Sequence, residues 1–415
     1  MESGLVRRFP ASTLSWKVDF IMAGDSFTTV SHQGWFSRLT GSLAGVLFGL
    51  LLFAGSFLLL AWNEGRSVRT ARALTELKGA VVTVEADRVD EKHEGRPVHL
   101  TGNATTDQTL ADDAFAVTAS AIKLRRSVEM YQWREDKKQE TREKVGGGTE
   151  TRTTYTYEKH WSSSPIDSTR FAQEANHSNP GSMRFQDWEK SADSVLLGAY
   201  TLSSALVAQM SEYEPLPIAE ELRLSESDRE RSVITGQTLY LPNDSEGKKP
   251  DPNSPAVGDL KISWKVVRPA VVSVIAGQAK STLGPWQASQ AEGMGTQIER
   301  LRTGTYTAQA MVGQMEAENT LLTWLLRGGG YLMMAIGIGA ILQPIAIFAS
   351  FIPLFGSLTR GGIAVFALLV AMALSLATIA LAWLAYRPWL AGGLLAAAAL
   401  SVMLVVRFLR RPAAG

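Results

Sequence analysis

The five histidines, His32, His93, His99, His160 and His177, are the first candidates for metal binding or proton transfer. A zinc site of the HExxH kind needs two of them four apart on one helix face, with a carboxylate beside them. No such pair occurs, and His93 and His99 are six apart across a predicted turn. All five read as solvated or core histidines. The chain has no cysteine, which removes disulfides, thiolate nucleophiles and thiolate metal ligands. Serines abound without the GxSxG elbow of a hydrolase. The glycine runs at 146–148 and 328–330 lack the Lys-Ser/Thr of a phosphate cradle and read as flexible joints. Asp112-Asp113 and Glu220-Glu221 are sequence neighbours whose side chains point different ways. Together with Asp187, Trp188, Glu189 and Asp193 they read as solvated surface. These residue types predict no enzyme, no metal and no cofactor.

The remaining chemistry is with lipid. Residues 43–62, LAGVLFGLLLFAGSFLLLAW, carry no charge. At 1.5 Å rise per residue they match the roughly 30 Å hydrocarbon core of a bilayer. Three more such stretches follow at 331–352, 362–383 and 389–406. The predicted fold is a membrane protein with four transmembrane α-helices, one N-terminal and three C-terminal. A large, mainly β (α+β) extracytoplasmic domain, residues 63–327, is inserted between the first and second. Residues 1–42 form a cytoplasmic N-terminal segment and 407–415 a basic cytoplasmic tail. No small-residue cleavage site follows residue 62, so 43–62 reads as a retained anchor. Met22 offers an alternative start to Met1, leaving 1–21 as an upstream extension. No Asp, Glu, Lys, Arg or His lies within the spans. A charge at mid-bilayer costs about 2.5–3.5 kcal/mol even on the lenient insertion scale and is retained mainly for function, so a coupled transporter is not expected.

Three patterns suggest how the spans are used. Gly41, Gly45 and Gly49 recur every four residues on one helix face, the small-xxx-small spacing of a close helix contact, within the chain or between copies. Arg66, Arg69 and Arg72 follow at spacing three on a helix continuing out of the membrane, at the level of lipid headgroups. Trp35 and Trp62 mark the two interfaces of the first span. Gln343-Pro344 interrupts the second span and predicts a kink. The links 353–361 and 384–388 are short enough to require tight hairpins. Arg38, Arg360, Arg407, Arg410 and Arg411 fall on one side of the bilayer and Arg66, Arg69, Arg72, Arg327 and Arg387 on the other, so the positive-inside rule does not decide orientation. The basic tail favours cytoplasmic termini. A net charge of +1 gives no basic excess of the kind that holds nucleic acid.

Within the insert, Val82, Val84 and Ala86 alternate with Thr83 and Glu85 as in a half-exposed strand. Residues 97–100, 115–119 and 122–133 read as further strands. REDKKQETREKVGGGTETRTT is too charged and glycine-rich to pack and reads as a hairpin tip or mobile loop. Residues 194–213 place Leu202, Leu206 and Met210 at helical spacing. Strand patterns return at 232–242 and 259–278. A faint internal duplication relates the stretch from Val98 to Trp133 to the stretch from Leu239 to Gln278.

SHQGWFSRL ahead of the glycine-spaced span, WNEGRSV, YTYEKHW with PIDSTRF, HSNPGSM, and PAVGDLKISW with VVSVIAGQ resemble the LUMA family, that of transmembrane protein 43. The likeness runs from about Ser31 to the last span and leaves out residues 1–21 and the charged loop near 134–150. The family words fall on Asn63, Glu64, Gly65 and Arg66, on His177, Asn179 and Pro180, and on Gly258 and Asp259. The resemblance implies one N-terminal span, a large extracytoplasmic domain, three clustered C-terminal spans and cytosolic or nucleoplasmic termini. In animals it implies the endoplasmic reticulum and inner nuclear membrane, and the alanine- and arginine-rich composition would suit a bacterial homologue with a periplasmic insert. It further implies a non-enzymatic scaffold that self-associates and organises membrane proteins. The expected partners are membrane lipids, further copies of the chain and other membrane proteins. The alternative expectation is a lipid-handling protein with a groove between domain and bilayer.

Overall fold

A computed structural model describes residues 20–409 except 24–25, 219–221, 245–246, 290–296, 351–352 and 385–387. Arg387, Arg410, Arg411 and Glu220-Glu221 lie outside the described residues. Four long helices carry the apolar stretches: α1 (Trp35–Ala80), α2 (Ala308–Ala349), α3 (Pro353–Leu384) and α4 (Pro388–Leu409). Three are long and apolar enough to cross a bilayer, Trp35–Ala80, Ala308–Ala349 and Thr359–Leu384. The fourth expected span falls on α4, a 22-residue helix whose described apolar stretch is Ala396–Arg407. The expected link 353–361 is the first part of α3 rather than a loop. Helix α2 continues through Pro344, and its Gly328, Gly329 and Gly330 are helical, not a joint. Gly330 is required for close approach, since a Cβ there would stand 2.6 Å from Leu60.

The chain divides into two compact bodies. The first holds Met1–Leu60, Glu135–Glu158 and Gly328–Gly415. In it α1 meets α2 through glycine. A Cβ on Gly49 would fall 2.8 Å from the Gly337 carbonyl, and one on Gly337 would fall 2.8 Å from the Phe53 nitrogen. Gly45 faces the Gln343 side chain at 3.2 Å, while Gly41 has nothing within 4 Å. The glycine stripe is therefore an intramolecular contact for two of its three members. Without a hydrophobic drive between helices in lipid, this kind of backbone approach supplies the attraction. Leu60, Met334, Ala335, Ile338, Ala367, Ala371 and Ile379 bury themselves around it. Trp35 donates to the Ile347 carbonyl at 2.9 Å and packs edge-on against Phe348.

The same body contains an arm. Strands β1 (Ser26–Gln33), β3 (Lys123–Glu143) and β4 (Thr149–Ser162) contribute to it, while β2 (Pro97–Thr105) belongs to the second body. Gly146 and Gly147 turn the β3–β4 hairpin with positive φ, and β1 pairs along β4 from Ser26↔Thr156 to Gln33↔Thr149. Of the two expectations for the charged run, the hairpin tip holds and the mobile loop does not: it turns at Gly146-Gly147 between paired strands. Its acid Glu143 is clamped: Arg38 donates to it at 3.1 Å and Arg360 at 2.8 and 3.0 Å. Glu143 is only 9% exposed. Residues 135–143, extended, cover roughly 30 Å, about the length of residues 43–62 as helix. Arg38 and Arg360 flank the spans at one end, and the arm brings part of the insert to them.

The second body, Ala61–Arg134 with Lys159–Arg327, is the expected β-rich domain. Strand β6 (Asp259–Val267) pairs antiparallel with β5 (Thr238–Pro242) on one side and with the first half of β3 on the other, Leu260↔Met130 to Val267↔Lys123. A second sheet forms around β7 (Ala270–Ala279), which pairs with β2 from Ala270↔Ala104 to Gly277↔Pro97. Leu100, Val274, Leu124, Val128, Ile262 and Trp264 are fully or almost fully buried in its core. The proposed duplication fails here: Leu100 pairs with Val274 in one sheet and Leu241 with Leu260 in the other, so the two stretches are not equivalent. Only Ser204–Ala208 of the expected helix at 194–213 is helical, since Leu196–Leu197 and Tyr200–Leu202 are claimed by sheet pairing. Tertiary pairing overrides local helical spacing.

A leucine at position 49 should separate α1 from α2, while one at position 41 should not. Gly49→Leu is expected to lower stability by about 1–3 kcal/mol through overpacking. Gly41→Leu is expected within about 0.5 kcal/mol of wild type. Thermal unfolding of the detergent-solubilised chain checks both.

Candidate functional site: a buried polar interlock

Past the apolar span, α1 runs on as WNEGRSV, and α2 arrives with Asn319, Thr323 and Arg327 at spacing four. These residues face one another in the second body. Glu64 is 0% exposed, and a carboxylate in that position needs a partner. Arg327 supplies one in bidentate form, Nε to Oε1 at 2.6 Å and Nη2 to Oε2 at 2.8 Å. Asn63, also fully buried, donates to the Thr323 carbonyl at 3.1 Å. Asn319 donates to the Ser67 carbonyl at 3.2 Å, and the Thr323 hydroxyl donates to Ser67 Oγ at 2.9 Å. Below this layer Ala73, Leu74 and Leu77 of α1 pack with Ile275, Met311, Val312 and Met315.

The three arginines of the headgroup stripe part ways. Arg66 turns into the interlock, with Nη1 donating to Asn319 at 2.9 Å and Nη2 to Thr323 and Asn63 at 3.0 and 3.2 Å. All these partners are neutral, and its buried Nε has none. It lines an open groove of about 220 Å³ whose walls include Leu74, Ile298, Met315 and Leu322. Arg69 lies back over Gly65, with Nη1 3.1 Å from where a Cβ would stand. Arg72 is exposed. On the adjoining turns of α2, Leu321, Trp324 and Leu325 are each more than 60% exposed.

The other family-word residues hold the domain together. Asn179 brackets the backbone of Trp133, accepting from its nitrogen at 2.7 Å and donating to its carbonyl at 2.8 Å. His177 is buried edge-on to Trp133, with Nδ1 2.9 Å from the Gln173 carbonyl. Gly258 takes φ +97, its nitrogen donates to the Tyr131 carbonyl, and Pro180 packs close enough to meet any added Cβ at 3.3 Å. Asp259 is buried and accepts from the Ala256 nitrogen at 2.7 Å; burial pushes its carboxyl above the usual range. Asn179, Pro180 and Gly258 are thus gathered around the end of one strand.

Several polar residues read as solvated surface prove structural. Asp112 is buried, accepting both Arg126 Nη1 contacts at 2.7 and 2.8 Å and the Trp264 indole at 2.9 Å. Asp187 accepts from the Val128 nitrogen at 2.7 Å. A single acid in a surface-like run gives no warning of this, because the pairing strands are far apart in sequence. His99 is a core histidine: Nε2 donates to the Tyr306 carbonyl at 2.8 Å, leaving Nδ1 to accept from Thr83 at 3.3 Å. Burial lowers its pKa below the ordinary 6.5. Among the described residues no three His, Cys, Asp or Glu side chains gather as a metal site.

The family model described as Transmembrane protein 43 matches residues 130–388. Transmembrane protein 43 of Homo sapiens is 32% identical over 391 residues, covering 91% of this chain and 93% of the relative. That of Rattus norvegicus is 31% identical over 393 residues, covering 92% and 94%. The Drosophila melanogaster homolog is 28% identical over 365 residues, covering 85% and 92%. No solved structure matches the chain.

Two outcomes follow from the buried groups. Glu64→Leu alone strands Arg327 and should cost about 3–5 kcal/mol, whereas Glu64→Leu with Arg327→Leu should recover most of it. Denaturant unfolding of the full chain in detergent reads both. Between the lowered pKa of His99 and 6.5, the unfolded chain holds a proton that the folded chain does not, so stability should fall as pH drops through that window. His99→Gln should remove this part of the pH slope in the same assay.

Proposed function

The chain belongs to the transmembrane protein 43 family and is an integral membrane protein, and on that premise we propose that it is a non-enzymatic scaffold that self-associates in the bilayer and organises other membrane proteins around it. The observation that carries this is the two-faced character of the span-bearing body. Leu43, Leu47, Leu51 and Leu58 form a stripe along α1, each more than 60% exposed, which suits lipid. The arm is a charged ribbon long enough to run the length of the spans. Open strand edges and charges have no place facing hydrocarbon. Copies that turn their ribbons toward one another and their leucine stripes outward satisfy both surfaces. In this reading the β domain, residues 63–134 with 159–327, stands on the extracytoplasmic face and offers its surface to partner proteins.

A second reading, lipid handling, is favoured by one observation. Arg66 is a half-buried guanidinium whose hydrogen-bond partners are all neutral, beside a groove of mixed apolar and charged lining one turn beyond the first span. A cation at that depth attracts anionic headgroups, at about 1 kcal/mol each.

Photobleaching of a single fluorophore per chain in membranes separates the readings. The scaffold predicts two or more bleaching steps per spot, unchanged by Arg66→Gln, and uniformly single steps contradict it. The lipid reading predicts anionic phospholipid co-purifying with wild type, lost in Arg66→Gln and kept in Arg72→Gln.

A further inference from the structure

A different cavity carries a charge that neither reading uses. Lys123 opens β3 and pairs across it with Val267 and with Ser191 of the short strand Trp188–Ser191. Its side chain is buried, the residue being 4% exposed, yet it lines a pocket of about 480 Å³. That volume is within the range of small-molecule sites. An ammonium has three donors. Here one of them reaches the Ala208 carbonyl at 2.9 Å, where it closes the short helix Ser204–Ala208, and among the described residues the other two have no partner. Closing that helix accounts for one hydrogen bond, and the ammonium has no carboxylate in ion-pair contact among the described residues, only the Glu189 carboxylate acting on it from nearby.

The surrounding charges are already committed. Arg125 is ion-paired with Glu189 and lies over the Tyr213 ring at 4.2 Å. Asp193, at the rim, exchanges hydrogen bonds with Gln108. The Tyr213 hydroxyl is buried in the pocket wall without a hydrogen bond. Burial first, and the Glu189 carboxylate beside it, push its pKa up to about 12, so it remains a neutral donor. Burial, with Arg125 adding to it, lowers the Lys123 pKa from 10.5 against the pull of Glu189. Leu202 and Val207 supply an apolar wall. The cavity therefore presents a buried cation with no carboxylate in direct contact, a neutral phenol beside Glu189, and an apolar side.

We propose that this pocket binds a small organic monocarboxylate, its oxygens on Lys123 and Tyr213 and its carbon chain against Leu202 and Val207. With the Arg125–Glu189 pair neutral and the Asp193 carboxylate at the rim, a single buried ammonium favours a monocarboxylate over a phosphate dianion. A buried charge is tolerated when it is paired, and the ligand supplies the pairing that the chain leaves out. This inference is independent of the scaffold reading.

The test is calorimetric titration of the full chain in detergent with hexanoate, 1-hexanol and inorganic phosphate at neutral pH. Hexanoate should bind at least ten times more tightly than either of the others. Lys123→Met, which keeps length and removes the buried charge, should weaken hexanoate tenfold or more while the protein remains folded by circular dichroism. Val207→Trp, which fills the cavity without touching Lys123, should do the same, and Arg66→Gln should change nothing. Absence of hexanoate binding, equal binding by hexanol, tighter binding of phosphate, or wild-type affinity in Lys123→Met would each overturn the assignment.

Discussion

A carboxylate with no access to water has to be answered by a cation, and Glu64 has Arg327. That requirement fixes α1 against α2 more sharply than apolar contact can, because a slip of one residue would leave both charges buried and alone. Isolated charges in such surroundings cost several kcal/mol, whereas a leucine moved by a residue meets another leucine. The neutral partners reinforce the same register, Asn63 on the Thr323 carbonyl and Asn319 on the Ser67 carbonyl. The same two helices, in the span-bearing body, bring Gly49 onto Gly337 with no room for a side chain. Charge pairing selects the alignment, and glycine permits the approach. Leu60 at its contact with Gly330 fits the same antiparallel order.

The placement of the spans, the β-rich character of the insert and the continuation of α1 beyond residue 62 were legible in the sequence. Each depends on a local property: hydropathy over a span length, alternation over a strand, helical spacing without a break. The three-residue recurrence of Arg66, Arg69 and Arg72 was equally visible, but its meaning was not. What Arg66 touches is decided by Asn319 and Thr323, some 250 residues away in the chain. Asp112 is the same lesson in the domain, since its burial depends on Arg126 and Trp264 from two other strands. Lys123 drew no notice because a lysine at the start of a strand is ordinarily solvated. Its burial arises from the helix Ser204–Ala208, in a stretch whose spacing suggested a much longer helix.

The arm shows where composition misleads. A run dense in Lys, Arg and Glu reads as unable to pack, yet the alternation of its side chains leaves the backbone free to pair. Strand β1, ahead of the first span, supplies that pairing. Glu143, one acid among many in sequence, becomes the shared partner of Arg38 and Arg360. Two cations on one largely buried carboxylate hold the ribbon's tip to the span ends.

The central claim is that in the second body α1 and α2 form a fixed antiparallel pair, aligned at Asn63 and Thr323. The chain has no cysteine, so a pair introduced by Asn63→Cys and Thr323→Cys can be oxidised in intact membranes without background. The account predicts rapid formation of an intramolecular disulfide at this pairing, with little from Asn63→Cys combined with Glu316→Cys, two turns away. Equal crosslinking at both pairings, or none at the first, would contradict it.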